Sequence, residues 1–240
     1  MKFILTGHSR GIGRALAELL LARGFDVLAI ARQTADDLAQ RYPAQLKQVA
    51  LDLADSDALI HWIESGALSH FATDADALVL INNAGMLGPM APPGRQSASA
   101  IAHTVALNVT APLLLSDAVM RSFDGPVRIA HLSSGAGRTA YPGWGVYCAT
   151  KAALDHHARS VALEGVPRLR ISSVAPGVVD TTMQSEIRAA TESDFPLRQR
   201  FVDMKDHGQL ATPEAVAARL LDHLLSADFG HEIVVDLRSL

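Results

Sequence analysis

Tyr147 and Lys151 stand four residues apart in segment 146–164, whose Ala and Leu content predicts a helix. Side chains at this spacing share one helix face, so we expect the phenol and the ammonium to meet. A free phenol has a pKa of about 10, and proton transfer near pH 7 needs a shift of about 3 units. An ammonium about 4 Å away favours the phenolate by about 4 kcal/mol at an effective dielectric of about 20. The pair predicts a general acid or base, the alternative being an aromatic anchor beside a solvated lysine.

A glycine-rich segment, 6–13, lies between the first predicted strand and the first predicted helix. Its glycines permit a tight turn and a close approach of the backbone to a pyrophosphate, while the helix N-terminus offers free N–H groups. The pattern predicts a dinucleotide site, the alternative being a plain glycine-rich turn. The residues assigned to the site in this segment are Gly7, Ser9, Arg10, Gly11, Ile12 and Gly13.

The end of the second predicted strand indicates which dinucleotide binds. An NAD site usually has an acidic residue there, about 20 residues after the glycines, to bind the ribose 2′-hydroxyl. Here the strand runs into Arg32, which together with Arg10 offers two guanidinium groups to a 2′-phosphate. We expect NADP(H), the alternative for either arginine being a plain surface residue. After the third strand, Asp52 and Leu53 are candidates for contact with the adenine, and Asp52 is equally a candidate cap for the next helix.

The composition is that of a globular enzyme, with 240 residues, 49% hydrophobic and 19% charged. A formal net charge of −4 argues against general affinity for nucleic acid. The start of the chain leads directly into the glycine-rich segment and Glu18 interrupts the apolar run behind it, so we expect no signal peptide, no membrane association and a cytoplasmic protein. The single cysteine, Cys148, fits a reducing compartment and is expected to pack beside Tyr147, a reactive thiol being the lesser alternative. The histidines show no metal-binding spacing, so no metal is expected.

Short apolar strands alternate with longer amphipathic helices, which predicts a single α/β domain over residues 1–240. Its architecture is a Rossmann-type, doubly wound, parallel seven-stranded sheet with helices on both faces. The predicted strands are 3–6, 26–31, 48–51, 77–81, 127–132, 170–174 and 232–236. The predicted helices are 11–23, 35–41, 56–65, 99–122, 146–164 and 213–225. Segment 181–210 follows a strand at the edge where such sheets carry their ligand, and we interpret it as a substrate lid.

Several further motifs stand in the same order and complete a known pattern. They are Asn83-Ala84-Gly85 after the fourth strand, then Asn108, Ser134 and Pro176-Gly177. With them the whole chain resembles the short-chain dehydrogenase/reductase family. It is most similar to the sepiapterin-reductase-like branch that includes bacterial benzil reductases, through segments 81–86, 107–112 and 176–184. The resemblance implies an oxidoreductase that works as a homodimer or homotetramer.

The resemblance assigns catalytic roles to four residues. Ser134, thirteen residues before Tyr147, would hold and polarise a substrate carbonyl, with Ser133 as the alternative. Tyr147 would donate its proton, and Lys151 would bind the nicotinamide ribose and lower the pKa of the phenol, both roles requiring the cofactor to be present. Asn108 lies four residues before Pro112, which lacks the N–H that would bond the carbonyl of residue 108. A water at that carbonyl would continue a proton relay, the alternative being a structural kink.

The remaining assignments concern cofactor and substrate. By resemblance, Asn83, Ala84 and Gly85 would run the backbone past the cofactor. The nicotinamide carboxamide would be enclosed by Pro176, Gly177, Val178 and Thr181. The expected substrate pocket is mostly apolar and consists of Met86, Ser134, Tyr141, Trp144, Tyr147 and Met183.

The expected function is NADPH-dependent reduction of a hydrophobic or aromatic ketone or diketone to an alcohol. A catalytically silent NADP(H)-binding regulator on the same fold is the alternative. A nucleotide-sugar epimerase of the extended branch is disfavoured, because too few residues follow Gly177 for the larger substrate domain of those enzymes.

Overall fold

The computed structural model describes the whole chain, Met1–Leu240. Seven parallel strands form one sheet in the order β3-β2-β1-β4-β5-β6-β7. They are β1 (Lys2–Thr6), β2 (Asp26–Ala31), β3 (Leu46–Ala50), β4 (Leu78–Asn82), β5 (Val127–Leu132), β6 (Leu169–Ala175) and β7 (Val234–Asp236). The predicted doubly wound parallel sheet is confirmed. Its strand order reverses between β1 and β4, and such a switch point is where ligands bind in folds of this kind.

Ten α-helices cover the sheet. They are α1 (Gly11–Ala22), α2 (Asp36–Arg41), α3 (Ser56–Glu64), α4 (Ala67–Ala72), α5 (Ala98–Val105), α6 (Ala111–Ser122), α7 (Gly145–Leu163), α8 (Thr182–Ala189), α9 (Arg198–Asp206) and α10 (Pro213–Leu225). Central strands are apolar on both faces because each face is buried by a helix layer. In β1, Phe3 and Leu5 pack with α1 and α10, whereas Ile4 packs with α3, α4 and α6.

The predicted helix 99–122 is broken into three parts. A π-helical turn, Ala106–Thr110, separates α5 from α6, and the Ala111 N–H bonds to the Ala106 oxygen. Pro112 follows within α6. A proline cannot donate the regular bond to the residue four before it, and the wider turn accommodates that loss.

Two other differences have local causes. The predicted helix 56–65 is α3, which ends at Glu64. The short helix α4 was not predicted, and it begins after Gly66, whose backbone is in the left-handed conformation (φ 77°). Segment 181–210, for which the sequence predicted no secondary structure, contains α8 and α9.

The run Ala98–Ser122 has the length and mean hydropathy, 1.5, that would suffice to cross a membrane. It lies along the sheet instead, where Ala111, Leu115, Ala118 and Val119 are buried in the core. Core helices of globular proteins can have the same composition, although only 28% of the most apolar part of this run is buried.

Candidate active site

The loops after β1 and β4 are bound together at the carboxyl edge of the sheet. The Asn83 side-chain amide donates to the main-chain oxygens of Thr6, at 2.8 Å, and Gly7, at 3.1 Å. The Thr6 hydroxyl oxygen accepts from the main-chain N–H groups of Asn83, at 3.0 Å, and Ala84, at 2.9 Å. Two segments that the sequence assigned to a cofactor therefore form one wall.

The glycine-rich loop has the shape that a pyrophosphate cradle requires. A Cβ at Gly13 would lie 2.1 Å from the Gly7 oxygen, so no side chain fits there. A Cβ at Gly11 would lie 3.2 Å from Thr181, which brings the segment after β6 over the loop. No side chain caps the N-terminus of α1, so its N–H groups point to the groove that these segments enclose. The residues present fit a dinucleotide.

Arg10 and Arg32 follow the neighbouring strands β1 and β2, and both are exposed without an ion-pair partner. Arg14 differs, because Asp37 and Glu18 already neutralise it and hold its pKa above the usual range. Arg10 and Arg32 are thus the cations at this end of the groove that remain available to an anion.

His8 also contributes to this loop, a role that no motif in the sequence indicated. His8 is fully buried, and its Nε2 lies 2.6 Å from the Gln48 side-chain oxygen, which also accepts from the Ala35 N–H at 2.6 Å. The contact joins the glycine-rich loop, β3 and the segment after Arg32. A histidine beside a glycine loop has no distinguishing sequence signal, because its partner lies 40 residues away.

Asp52 does not cap the following helix. Its carboxylate accepts from the Ala54 N–H, and Asp55 is the N-cap of α3, accepting from the Ala58 N–H. The capping alternative for Asp52 was therefore wrong. Leu53 is buried in the core at 4% exposure.

Tyr147 and Lys151 lie in the first turns of α7, and both are buried. The Lys151 ammonium donates to the main-chain oxygen of Leu132 at 2.7 Å, and its Nζ lies 5.7 Å from the centroid of the Tyr147 ring. Burial raises the pKa of Tyr147 to about 12, and the nearby Ser134 hydroxyl opposes part of that rise. Burial lowers the pKa of Lys151 to about 8, against the Asp155 charge, which raises it. Desolvation of the phenol is the larger effect here, and the lowering of the Tyr147 pKa by Lys151, which was expected with the cofactor bound, stays a prediction.

The two serines after β5 have different partners. Ser134 precedes a 3₁₀ turn, Gly135–Gly137, and its hydroxyl oxygen accepts from the Ala136 N–H. The Ser134 hydroxyl also faces the Tyr147 phenol. Ser133 is buried and donates to the main-chain oxygen of Lys151 at 3.3 Å. The geometry supports Ser134 as the candidate for substrate and gives Ser133 a structural contact with α7.

Asn108 lies in the π-helical turn and is fully buried. Its side-chain oxygen accepts from the Met86 N–H at 2.9 Å, and its amide donates to the Met86 oxygen at 2.8 Å and to the Thr150 hydroxyl at 3.1 Å. A Cβ at Gly85 would lie 3.4 Å from both the Asn108 oxygen and the Lys151 Nζ. Asn108 therefore fixes the loop after β4 against α7, a side-chain role that the sequence analysis did not identify.

An aromatic cluster covers Tyr147. Trp144 stacks on Phe195 with centroids 4.5 Å apart and meets Tyr147 edge to face at 5.6 Å. Phe201, Tyr141 and Met183 pack into the same cluster. Of the predicted pocket residues, Met86 lies outside this cluster, and its neighbour Leu87 is the buried member from that loop.

Ion pairs hold segment 181–210 over the site. Arg95 in the loop before α5 pairs with Asp194 at 2.8 Å, and Asp180 pairs with Lys205 of α9 at 2.5 Å. The Ala91 N–H donates to the Gly143 oxygen, which fastens the loop after β4 to the loop before α7. Tyr147 is thereby left only 6% exposed. No group of three or more His, Cys, Asp or Glu residues is arranged to hold a metal ion.

Comparison with known proteins places this chain in a family. A sequence model described as short chain dehydrogenase matches residues 2–192. The chain is 35% identical to the benzil reductase ((S)-benzoin forming) of Bacillus cereus, over 97% of this chain and 98% of that protein. It is 31% identical to the sepiapterin reductase of Xenopus tropicalis, over 94% and 91% of the two chains.

A solved structure agrees with these matches. The crystal structure of a short-chain dehydrogenase/reductase from Burkholderia vietnamiensis is 41% identical, with a TM-score of 0.73 over 100% of this chain and 97% of that one. The resemblance to the benzil reductase and sepiapterin reductase branch is confirmed, and with it an oxidoreductase that uses a nicotinamide cofactor. The chain therefore belongs to the short-chain dehydrogenase/reductase family.

Proposed function

We propose that this protein is an NADPH-dependent carbonyl reductase, in which Tyr147 donates the proton that completes an alcohol. The observation that carries the proposal is the arrangement around Tyr147. Its phenol is buried, faces the Ser134 hydroxyl, stands one helical turn from Lys151 and lies beneath an aromatic cluster. This is the set that general-acid catalysis on a carbonyl oxygen requires.

The cofactor's seat follows from the residues at the carboxyl edge of the sheet. The glycine-rich loop and the α1 N-terminus would hold the pyrophosphate, with Arg10 and Arg32 on the 2′-phosphate. Asp52 and Leu53 would lie at the adenine, Asn83 to Gly85 along the dinucleotide, and Pro176 to Thr181 around the carboxamide. NADPH, when bound, supplies the hydride for the carbonyl carbon.

Ser134 would donate a hydrogen bond to the substrate carbonyl oxygen and hold it beside Tyr147. As negative charge develops on that oxygen, Tyr147 transfers its proton to it. A pKa of about 12 keeps the phenol protonated at neutral pH, which is the form that a proton donor needs. Lys151 would exchange its bond with the Leu132 oxygen for the nicotinamide ribose and bring its charge towards the phenol. Asn108 would hold the Met86 loop in place beside it.

The aromatic cover indicates the substrate. Trp144, Phe195 and Phe201 form an aromatic cluster whose Trp144 lies against the proton donor, and we propose an aromatic ketone or diketone. Because this cover leaves Tyr147 nearly inaccessible, residues 181–210 would act as a lid that opens for entry. The Bacillus cereus relative is named as a benzil reductase, which supports a diketone as the substrate.

We also propose a cytoplasmic homodimer or homotetramer. Small side chains stand exposed on α7 at Ala149 and Ala152, and Val105 of α5 is 39% exposed, which permits close packing of helices across a symmetric interface. A monomer in sedimentation at micromolar concentration would remove this part of the proposal.

The function is tested by following NADPH absorbance with a panel of diketones, pterins, quinones and ketosteroids. We expect the fastest oxidation of NADPH with aromatic diketones. A folded protein that binds NADPH but reduces no carbonyl in the panel would overturn the proposal in favour of a silent nucleotide-binding regulator.

A further inference from the structure

A buried ion pair stands directly behind the candidate catalytic residues. The Arg138 Nε donates to the Asp155 carboxylate at 3.1 Å, and the other carboxylate oxygen accepts from the Ser173 hydroxyl at 2.7 Å. The Asp155 side chain is 2% exposed and that of Arg138 is 29% exposed. A carboxylate buried to this degree is stable only with such partners, so loss of either one is expected to have consequences.

The pair joins the two segments that carry the chemistry. Arg138 directly follows the 3₁₀ turn that begins after Ser134, and Asp155 lies one helical turn after Lys151 on α7. Gly137 presses the turn against α7, because a Cβ there would lie 2.9 Å from the main-chain carbon of Lys151. Arg138 thus ties the segment of Ser134 to the helix of Tyr147 and Lys151.

The charges around Lys151 come from few side chains. On its own helix it faces Tyr147, which stays neutral, and Asp155, whose charge raises the pKa of Lys151. From β5 it faces His131, whose pKa burial lowers to about 3, so that it is neutral in the working range. The π-helical turn contributes the uncharged Asn108. Asp155 is therefore the anion that stabilises the Lys151 ammonium.

Arg138 sits between Asp155 and a second acidic group. Its NH2 donates to the main-chain oxygen of Val235 at 3.2 Å. The hydrogen bond from Arg238 is the main cause of the lowered pKa of Asp236, and the charge of Arg138 lowers it a little further. Arg138 hence offsets only part of the Asp155 charge, because it also interacts with the Val235 oxygen and with Asp236. Removing Arg138 would leave more of that charge acting on Lys151, and removing the Asp155 charge would leave none.

We propose that Arg138 and Asp155 are positioning residues of this active site, setting where Ser134 stands relative to Tyr147 and keeping Lys151 in its ammonium form. The inference rests on the proposed function, because it assigns the pair to that reaction. Neither residue carried any motif in the sequence, since their meeting depends on the packing of the turn on α7.

The test compares Asp155→Asn, Arg138→Gln and Arg138→Lys with the parent. The alkaline limb of kcat/KM for NADPH, measured with a saturating carbonyl, reports the free enzyme's Lys151. In the parent we expect the midpoint of this alkaline limb near pH 8. It should shift to lower pH by about one unit in Asp155→Asn and to higher pH by a similar amount in Arg138→Gln. Rates at the optimum should fall about tenfold in both, and Arg138→Lys should restore the parent's limb.

Two controls make the result decisive. Ser173→Ala removes the other bond to Asp155 without changing any charge, so it should lower the stability of the fold but leave the alkaline limb in place. NADPH affinity against pH, from cofactor fluorescence, should show the same opposite shifts without needing turnover. Limbs that do not move, or that move in the same direction in Asp155→Asn and Arg138→Gln, would overturn the inference. Absence of any carbonyl turnover in the parent would instead overturn the proposed function, with the fluorescence shifts still deciding the role of the pair.

Discussion

Lys151 donates to the main-chain oxygen of Leu132 at 2.7 Å, the residue at the end of β5, and not to the phenol of Tyr147. Helical spacing does place Tyr147 and Lys151 on one face, but the ammonium Nζ lies 5.7 Å from the phenol ring centroid. Both groups are buried, and burial disfavours the charged form of each. It therefore raises the pKa of Tyr147 and lowers the pKa of Lys151. Tyr147 is therefore held in its neutral, proton-donating form. Lys151 would approach it when the nicotinamide ribose replaces the Leu132 oxygen as its hydrogen-bond partner.

Tyr147→Phe keeps the ring in the aromatic cluster and removes only the hydroxyl. We expect carbonyl reduction to fall by a factor on the order of 10² or more, with NADPH affinity close to that of the parent. Steady-state rates and cofactor fluorescence measure the two effects separately. Near-parent turnover by the folded variant would show that another group supplies the proton.

Arg32→Ala removes one of the two unpaired guanidinium groups near the predicted 2′-phosphate. The parent should prefer NADPH over NADH at least about tenfold in kcat/KM, equivalent to about 1.4 kcal/mol, and the variant should lose most of that preference. Arg23→Ala is the matched control, because Arg23 is paired with Asp222 and does not border the cofactor groove. A preference that is equal in parent and Arg32→Ala would remove Arg32 from the cofactor site.

Trp144 is 4% exposed, and its indole N–H has no hydrogen-bond partner. Trp144→Phe removes that N–H and keeps an aromatic ring against Phe195, so we expect a free energy of unfolding equal to or above the parent's. Trp144→Ala leaves a cavity and should lower the free energy of unfolding by about 3–5 kcal/mol. Denaturant unfolding measures both, and the KM for an aromatic ketone should rise only in Trp144→Ala. A destabilised Trp144→Phe would mean that the N–H has a partner in solution.

His131 is fully buried between Asn82, whose amide lies 3.1 Å from Nδ1, and His157, 3.0 Å from Nε2. Burial lowers the pKa of His131 to about 3, below the unfolded value of about 6.5. The unfolded chain therefore takes up the proton first, and the stability present above pH 6.5 is lost as pH falls towards 3. Between pH 6.5 and 5 the free energy of unfolding of the parent should fall more steeply than that of His131→Asn, by up to about 1.4 kcal/mol per pH unit. The exposed His70→Asn should keep the parent's slope, and equal slopes in all three proteins would contradict the prediction.

The sequence by itself determined the sheet and the location of the site. Apolar strands alternating with helices allow only a parallel sheet covered on both faces, and glycines between β1 and α1 mark its ligand edge, because these signals are local in the chain. The identity of Ser134, Tyr147 and Lys151 as candidates was readable for the same reason, since their spacing along the chain carries it.

Only the tertiary structure decided how those residues are held and charged. Asn108 bonds Met86 across 22 residues, and Arg138 meets Asp155 across 17. Phe195 reaches Trp144 from a segment without a recognisable pattern, and Lys151 turns to Leu132. Each of these depends on which surfaces the packed elements bring together and how much water they exclude, and no spacing along the chain encodes either. The pKa values of Tyr147 and Lys151 follow from that burial, which the spacing of the two residues along the chain does not encode.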